Sequence, residues 1–291
     1  MQKQKLMSMF RILLAATFLI FTSVEGTAQV RQLMLEKAKQ MSTTKQQSTQ
    51  PADTTQKATP SNEPVKQEQQ SNPIGFSGGS KKDVRPVYTF NDNMLVEITN
   101  YKKDGKKDGD PVKVRYLFSK EAYLGSEMTI EGKKPEDKTE STSIVEFGKN
   151  QMVMLSKTKD GNSGFVMKYD SQKIQEKAAK DTSSAPKFTK TGRTKTILGY
   201  LSEEWVSTDE KGNKTEIWIS NQVKLDVSGA SAAFAGAKGS KSVNTQGYPQ
   251  GAMLEMNYYE KNGEKTTWIV LEINLNKTTT ISTEGYTFMG F

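Results

Sequence analysis

The sequence predicts a mainly β domain of the α+β class, an antiparallel sheet with one or two helices over residues 86–291. Three observations predict it. From about Pro86 onward apolar residues recur with period two, as in Val112, Val114, Tyr116 and Phe118, the mark of half-buried strands. Asp-Gly and Asn-Gly pairs at 104–105, 108–109, 160–161 and 262–263, with Gly212-Asn213, punctuate those runs as hairpin turns do. Helical periodicity is thin throughout the same region.

The N-terminal part reads differently. Lys3, Lys5 and Arg11 precede the apolar run Ile12–Phe21, and the small residues Gly26-Thr27-Ala28 follow, the three-part form of a secretory signal over 1–28. The apolar run is far short of the ~20 residues that span a bilayer, so no transmembrane segment is expected after cleavage. With no cysteine in the chain, lipid attachment through a thiol is excluded. Val30, Leu33, Met34, Ala38 and Met41 recur at helical spacing and predict a short amphipathic helix over 29–41. From Ser42 to Pro73 the apolar side chains are Ala52, Ala58 and Val65 in a field of Gln, Thr, Ser, Lys and Pro. Such a stretch cannot offset its ordering entropy, and GFSGGSKK extends it, so a disordered linker is expected over 42–85.

Within the β region, Ile217 and Ile219 alternate with Glu216 and Trp218, and Ile269, Leu271, Ile273 and Leu275 form a longer series. Asp170 is placed to cap a helix over 171–180. The Ala/Gly-rich segment 229–239 reads as a loop or weak helix. In QMVML, residues 151–155, Met152 and Met154 point one way and Val153 and Leu155 the other. A sheet with one wet face does not need that; a curved sheet wrapped around a helix or cavity does, and so does a two-layer sandwich.

Composition removes several chemistries. Histidine and cysteine are both absent, so Ser-His-Asp and Cys-His catalysis, ordinary zinc sites and disulfides are excluded. The 41 Lys and Arg against 33 Asp and Glu give a net charge of +8. That excess is dispersed, which argues for solubility and against nucleic-acid readout. Glu203 and Glu204 are neighbours and point apart on a regular strand, so they are no catalytic pair. Gly192-Arg193-Thr194-Lys195-Thr196 lacks the second glycine of a phosphate loop. DGKKDGD at 104–110 departs from the calcium-loop order. Met152, Met154, Met167, Met253 and Met256 suit core packing or the lining of an adaptable apolar pocket better than a copper site. No catalytic residue, metal ligand or cofactor is nominated, and the chain is not expected to be an enzyme.

The stretch KTGRTKTILGYLSEEW at 190–205, treated as a strand carrying a Gly199-Tyr200 packing device and followed by EIWIS, resembles the signature of the bacterial domain of unknown function 4412 family. MLVEITNY, VRYLFSKEAYLGSEM and SIVEFGKNQMVMLSK fit the same family, so the resemblance covers roughly residues 90–280. The exported GLPGLI family is related. More distantly the family resembles the lipoprotein carriers LolA and LolB, which implies an unclosed antiparallel half-barrel with helices over an apolar concavity that holds acyl chains. Relatives often carry a cysteine where this chain has Ser202, so a thiol role at that position does not transfer.

Together these readings predict an exported, non-enzymatic protein of a Gram-negative periplasm or cell envelope. It would bind a lipid or other apolar ligand in the concavity of a curved sheet, with Met152, Met154, Trp205, Trp218, Met253 and Trp268 as candidate lining residues. The alternative is a structural or interaction module that meets an envelope protein partner, tethered by the disordered linker.

Overall fold

The computed structural model describes residues 77–130, 138–171, 173, 187–225 and 249–289. The expected signal, the 29–41 helix, the linker as far as residue 76 and the 229–239 segment lie outside these residues. The strands are β1 (Ser77–Gly78), β2 (Val87–Phe90), β3 (Asp92–Tyr101), β4 (Val112–Phe118), β5 (Tyr123–Ile130), β6 (Thr139–Glu146), β7 (Gln151–Thr158) and β8 (Gly161–Lys168). After them come β9 (Thr189–Ile197), β10 (Tyr200–Thr208), β11 (Lys214–Ser220), β12 (Ala252–Tyr259), β13 (Lys265–Asn274), β14 (Thr279–Ser282) and β15 (Thr287–Met289). Thirteen of them form one curved, unclosed sheet in the order β1-β8-β7-β6-β5-β4-β3-β13-β12-β11-β10-β9, with β15 also on β8. All pairings are antiparallel except β15 on β8. Strands β2 and β14 pair separately.

The sheet consists of two runs of consecutive hairpins, β3 to β8 and β9 to β13, joined where β13 pairs with β3. The turn residues act as their chemistry dictates. Gly105, Gly109, Gly212 and Gly263 all have positive φ. Asp209 Oδ1 accepts from the N–H groups of Lys211 and Asn213, closing the β10–β11 turn. Asp170 Oδ1 accepts from Lys173 N–H at 3.1 Å, with Ser171 and Lys173 helical, the expected cap; residues 174–180 lie outside the described part. Among the described residues no helix is long and apolar enough to cross a membrane.

The stretch 190–205 corrects one expectation. It is a hairpin, not one strand: Leu198 and Gly199 have φ of 50° and 83°, and Ile197 pairs with Tyr200. Two successive positive φ values make the two-residue turn that matches strand twist. Gly199 therefore serves the turn, and no aromatic ring lies over it. The other glycine sits in a bulge. Thr194 pairs with Glu203 and Lys190 with Trp205, so Thr191-Gly192-Arg193 faces the single residue Glu204, with Gly192 at φ 85°. The bulge turns Thr191 and Arg193 onto the buried Glu204 carboxylate, which accepts from Thr191 Oγ1 at 2.6 Å and from Arg193 Nε at 2.5 Å. Glu203 takes the other face and pairs with Lys190 at 2.6 Å. Bulge and charges together blunt the free edge that β9 presents.

The β2–β14 pair covers one face of the sheet over β4 to β8. Tyr88, Phe90 and Ile281 pack on Leu117, Tyr123, Ile144, Val153 and Leu155, with Val84, Tyr286 and Phe288 at the margin. Tyr123 meets Tyr88 and Phe90 edge-on at 5.2 and 5.3 Å, a favoured aromatic geometry. Its hydroxyl accepts from Thr89 N–H and donates to the Thr89 carbonyl, both at 2.9 Å. This cover explains why Leu117, Val153 and Leu155 are apolar on a face that simple alternation leaves to water. It fits because the sheet is bare beneath it: a Cβ on Gly125 would stand 2.8 Å from the Phe90 ring, and on the same face a Cβ on Gly164 would stand 2.6 Å from the ring of Phe288 on β15. Gly164→Leu is accordingly expected to destabilise the fold by about 1–3 kcal/mol through overpacking, read as a lower urea midpoint, while Gly105→Ala in an open turn acts through φ alone.

The expected linker differs from the structure over residues 77–85. Ser77 and Gly78 pair with Met167 and Lys168, and Ser80 caps a 3-10 turn over Lys81–Asp83. Asp83 pairs with Lys168 at 3.0 Å, and the Lys168 hydrogen bond and charge hold its carboxyl below the usual range. Arg85 Nε reaches Glu146, a side chain 3% exposed, at 3.4 Å. Glu146 also accepts from the Tyr88 hydroxyl and from Gln151 Nε2 at 2.9 Å, and pairs with Lys149 at 3.2 Å. Polar composition suggested a linker because these residues join the fold through hydrogen bonds and charge, with almost no apolar area.

Candidate functional site

Cross-strand partners in a sheet share a face, so the registers assign each side chain. On the face opposite the β2–β14 cover, three rows run across the strands. One passes through Trp205, Ile217, Met256, Trp268 and Ile98. A second passes from Met94 through Tyr116, Ser126 and Ser143 to Met154 and Phe165. A third runs Phe118, Leu124, Val145, Met152 and Met167. Between the first two lie Val270, Val96, Val114 and Met128. The result is a continuous apolar face carrying Met94, Met128, Met152, Met154, Met167 and Met256.

Burial on this face is graded. It is greatest at β3 and β13, where Trp268 is 1% exposed, Met94 2% and Val96 0%. Toward β7 and β8, Met152, Met154, Phe165 and Met167 are half-buried, as is Met128 on β5. Tyr116 lies between, its ring 6.5 Å from that of Trp268 at 41°. Burial pushes its phenol up, so at neutral pH it presents a neutral hydroxyl. No titratable charge stands in the rows that join Met94 to Phe165 and Phe118 to Met167. The face can desolvate an apolar group.

The structure brings Met152, Met154, Trp205 and Trp268 to this one face. It separates Trp218, which pairs with Glu204 and Glu255 and so belongs to the opposite face. There Lys195 Nζ stands 4.1 Å from the Trp218 ring centroid and 2.7 Å from Glu255, a cation–π contact within a charged surface. Met253 pairs with Ile219 across a bulge; since Ile219 is in step with Ile217, Met253 shares the face of Trp268 but stands outside the row through Met256. Tyr116, Phe165, Met94 and Met128 belong to the face although they were not among the candidates. Their period-two positions carried the signal, but strand order was needed to align the rows. A further bulge between Val270 and Glu272 splits the series Ile269–Leu275: Ile269 faces Glu97 and Ile273 faces Met94.

The opposite face beyond the cover is ionic. Besides Glu204 and Arg193, Lys214 pairs with Glu216 at 2.8 Å, and Tyr259 donates to Glu216 at 3.1 Å. Among the described residues no group of three His, Cys, Asp or Glu side chains is placed to hold a metal ion.

The family model described as a domain of unknown function, DUF4412, matches residues 103–274. No curated protein matches the chain. Among solved structures, the crystal structure of a LolA superfamily protein from Nitrosomonas europaea is similar at 10% identity, with a TM-score of 0.26, over 65% of this chain and 87% of that chain. The matched family segment contains β4 to β13 entire, and with them nearly all of the methionine-rich face.

Proposed function

Because the chain belongs to the domain of unknown function 4412 family, whose description assigns no activity, we propose a function from the face itself: it binds an apolar ligand, a lipid or acyl chain. The protein is an exported, non-enzymatic component of the cell envelope in this reading. The observation that carries it is the set of methionine-bearing rows, graded from fully buried Trp268 and Met94 to half-buried Met152, Met154 and Met167.

A core needs no such gradient, whereas a ligand-binding face needs both a rigid floor and an adaptable rim. The floor is supplied by β-branched and aromatic side chains of β3 and β13. The rim is supplied by unbranched thioether side chains, which adjust to ligands of differing shape. Binding would be driven by removal of alkyl surface from water, about 0.8 kcal/mol for each methylene fully buried. No covalent step is involved.

Titration of delipidated protein with 11-(dansylamino)undecanoic acid tests the reading. Saturable binding with a blue-shifted, enhanced dansyl emission is expected. The double variant Met152→Lys/Met154→Lys should weaken it at least tenfold while the far-ultraviolet circular dichroism stays that of a β-sheet. Equal binding by the variant, or no binding by the native chain, overturns the proposal.

A further inference from the structure

The methionine-bearing face contains two chemically distinct sets of thioethers. Met94 and Met256 are buried, at 2% and 8% exposure. Met128, Met152, Met154 and Met167 are half-buried. Met152 and Met167 are direct cross-strand partners, and Met154 opposes Phe165; Met128 sits across from Val114. Four half-buried thioethers on β5, β7 and β8 therefore flank a floor whose own methionines are buried. The rows that join these rim residues present apolar side chains and serine hydroxyls, with no formal charge, so any large change of polarity on the rim must come from the sulfurs themselves.

We propose that these four rim methionines are a modification site at which a peroxide switches off apolar ligand binding. The inference rests on the reading of this face as the ligand site. In the step, a thioether sulfur attacks one oxygen of the peroxide, the O–O bond breaks and an S=O bond forms. Hydrogen peroxide leaves as water, the sulfur having lost two electrons and the peroxide having gained them. Attack requires access of peroxide to the sulfur, which favours the half-buried side chains of Met128, Met152, Met154 and Met167 over the buried Met94 and Met256. Each sulfoxide converts a flexible apolar side chain into a polar one. Four on one rim replace a surface that releases water with one that holds it. The adjacency of Met152 and Met167 concentrates two of these dipoles at one point of the rim. Enzymatic reduction of sulfoxide to thioether restores the apolar state, so the switch is reversible.

The experiment oxidises the full chain with hydrogen peroxide, maps sulfoxides by peptide mass spectrometry and titrates each state with 11-(dansylamino)undecanoic acid. Sulfoxide is expected at Met128, Met152, Met154 and Met167 before Met94 and Met256, with at least a tenfold loss of probe affinity and an unchanged β-sheet spectrum. Sulfoxide reductase treatment should return the affinity. In the variant carrying leucine at these four positions, whatever its starting affinity, peroxide should leave that affinity unchanged. Should it fail to fold, the pair Met152→Leu/Met154→Leu with a half-sized loss serves the same purpose. Unaltered affinity in protein carrying the four sulfoxides, early modification of Met94 and Met256, or loss of binding only together with loss of sheet each overturns this inference while leaving the ligand reading standing. Failure of the reduced protein to bind overturns both.

Discussion

Trp268→Ala is expected to cost about 3–5 kcal/mol of folding stability, in the range of large-to-alanine changes in packed cores. Trp268 is the largest fully buried side chain among the described residues. It stands where the two hairpin runs join, between Met256 on β12 and Ile98 on β3, with Tyr116 against its ring. Removing the indole opens a cavity bounded by strands that cannot close on it, because backbone pairing fixes their spacing near 4.8 Å. For a domain of this size each kcal/mol moves the melting temperature by about 2–4 °C, so a fall of about 10 °C is expected in calorimetry. A change below 2 °C contradicts the placement of Trp268 at the floor of the face.

Glu146→Ala is expected to cost about 3 kcal/mol, at the low end for breaking a buried ion pair. Alanine leaves the buried Tyr88 hydroxyl without its acceptor and takes from Gln151 Nε2 one of its two, the Asp83 carbonyl remaining, and an unsatisfied buried group costs about 1–3 kcal/mol. Arg85 and Lys149 are affected less, since their side chains are 38% and 42% exposed and water takes over part of the lost interaction. Arg85→Ala should therefore cost less than Glu146→Ala in urea unfolding. The reverse order contradicts the view that the carboxylate is the hub. Because this hub joins β2 to the β6–β7 end, proteolysis within residues 77–90 should also quicken in Glu146→Ala.

The strands and turns were legible because their chemistry is local. Asp-Gly and Asn-Gly pairs fall at the hairpin turns, and the two-faced apolarity of Met152–Leu155 announced a sheet that is apolar on both faces. What covers the second face was not legible, because Tyr88 pairs with Ile281 across almost the whole folded chain, and no local pattern encodes a contact of that separation. Bulges were equally hidden. Those at Thr191–Arg193, between Trp218 and Ile219, and between Val270 and Glu272 each shift side chains to the other face without altering the alternation of letters. Trp218 looked like a companion of Trp268 because only its register with Glu204 and Glu255 fixes its face. Leu198 hid a turn because a leucine at positive φ is uncommon, while Ser77–Arg85 hid an ordered segment because its ties are polar. The candidate face was legible residue by residue on β7 but became a surface only once strand order aligned its rows.

The central claim is that the methionine-bearing face is a ligand site and not one side of a solid core. Native mass spectrometry of the full chain, purified without detergent, tests it most directly. A ligand site predicts a protein ion carrying extra mass that dissociates on activation to release an acyl-chain lipid, and the loss of that adduct in Met152→Lys/Met154→Lys. A single bare mass for the native protein, together with no uptake when it is mixed with lipid vesicles before measurement, would contradict the claim.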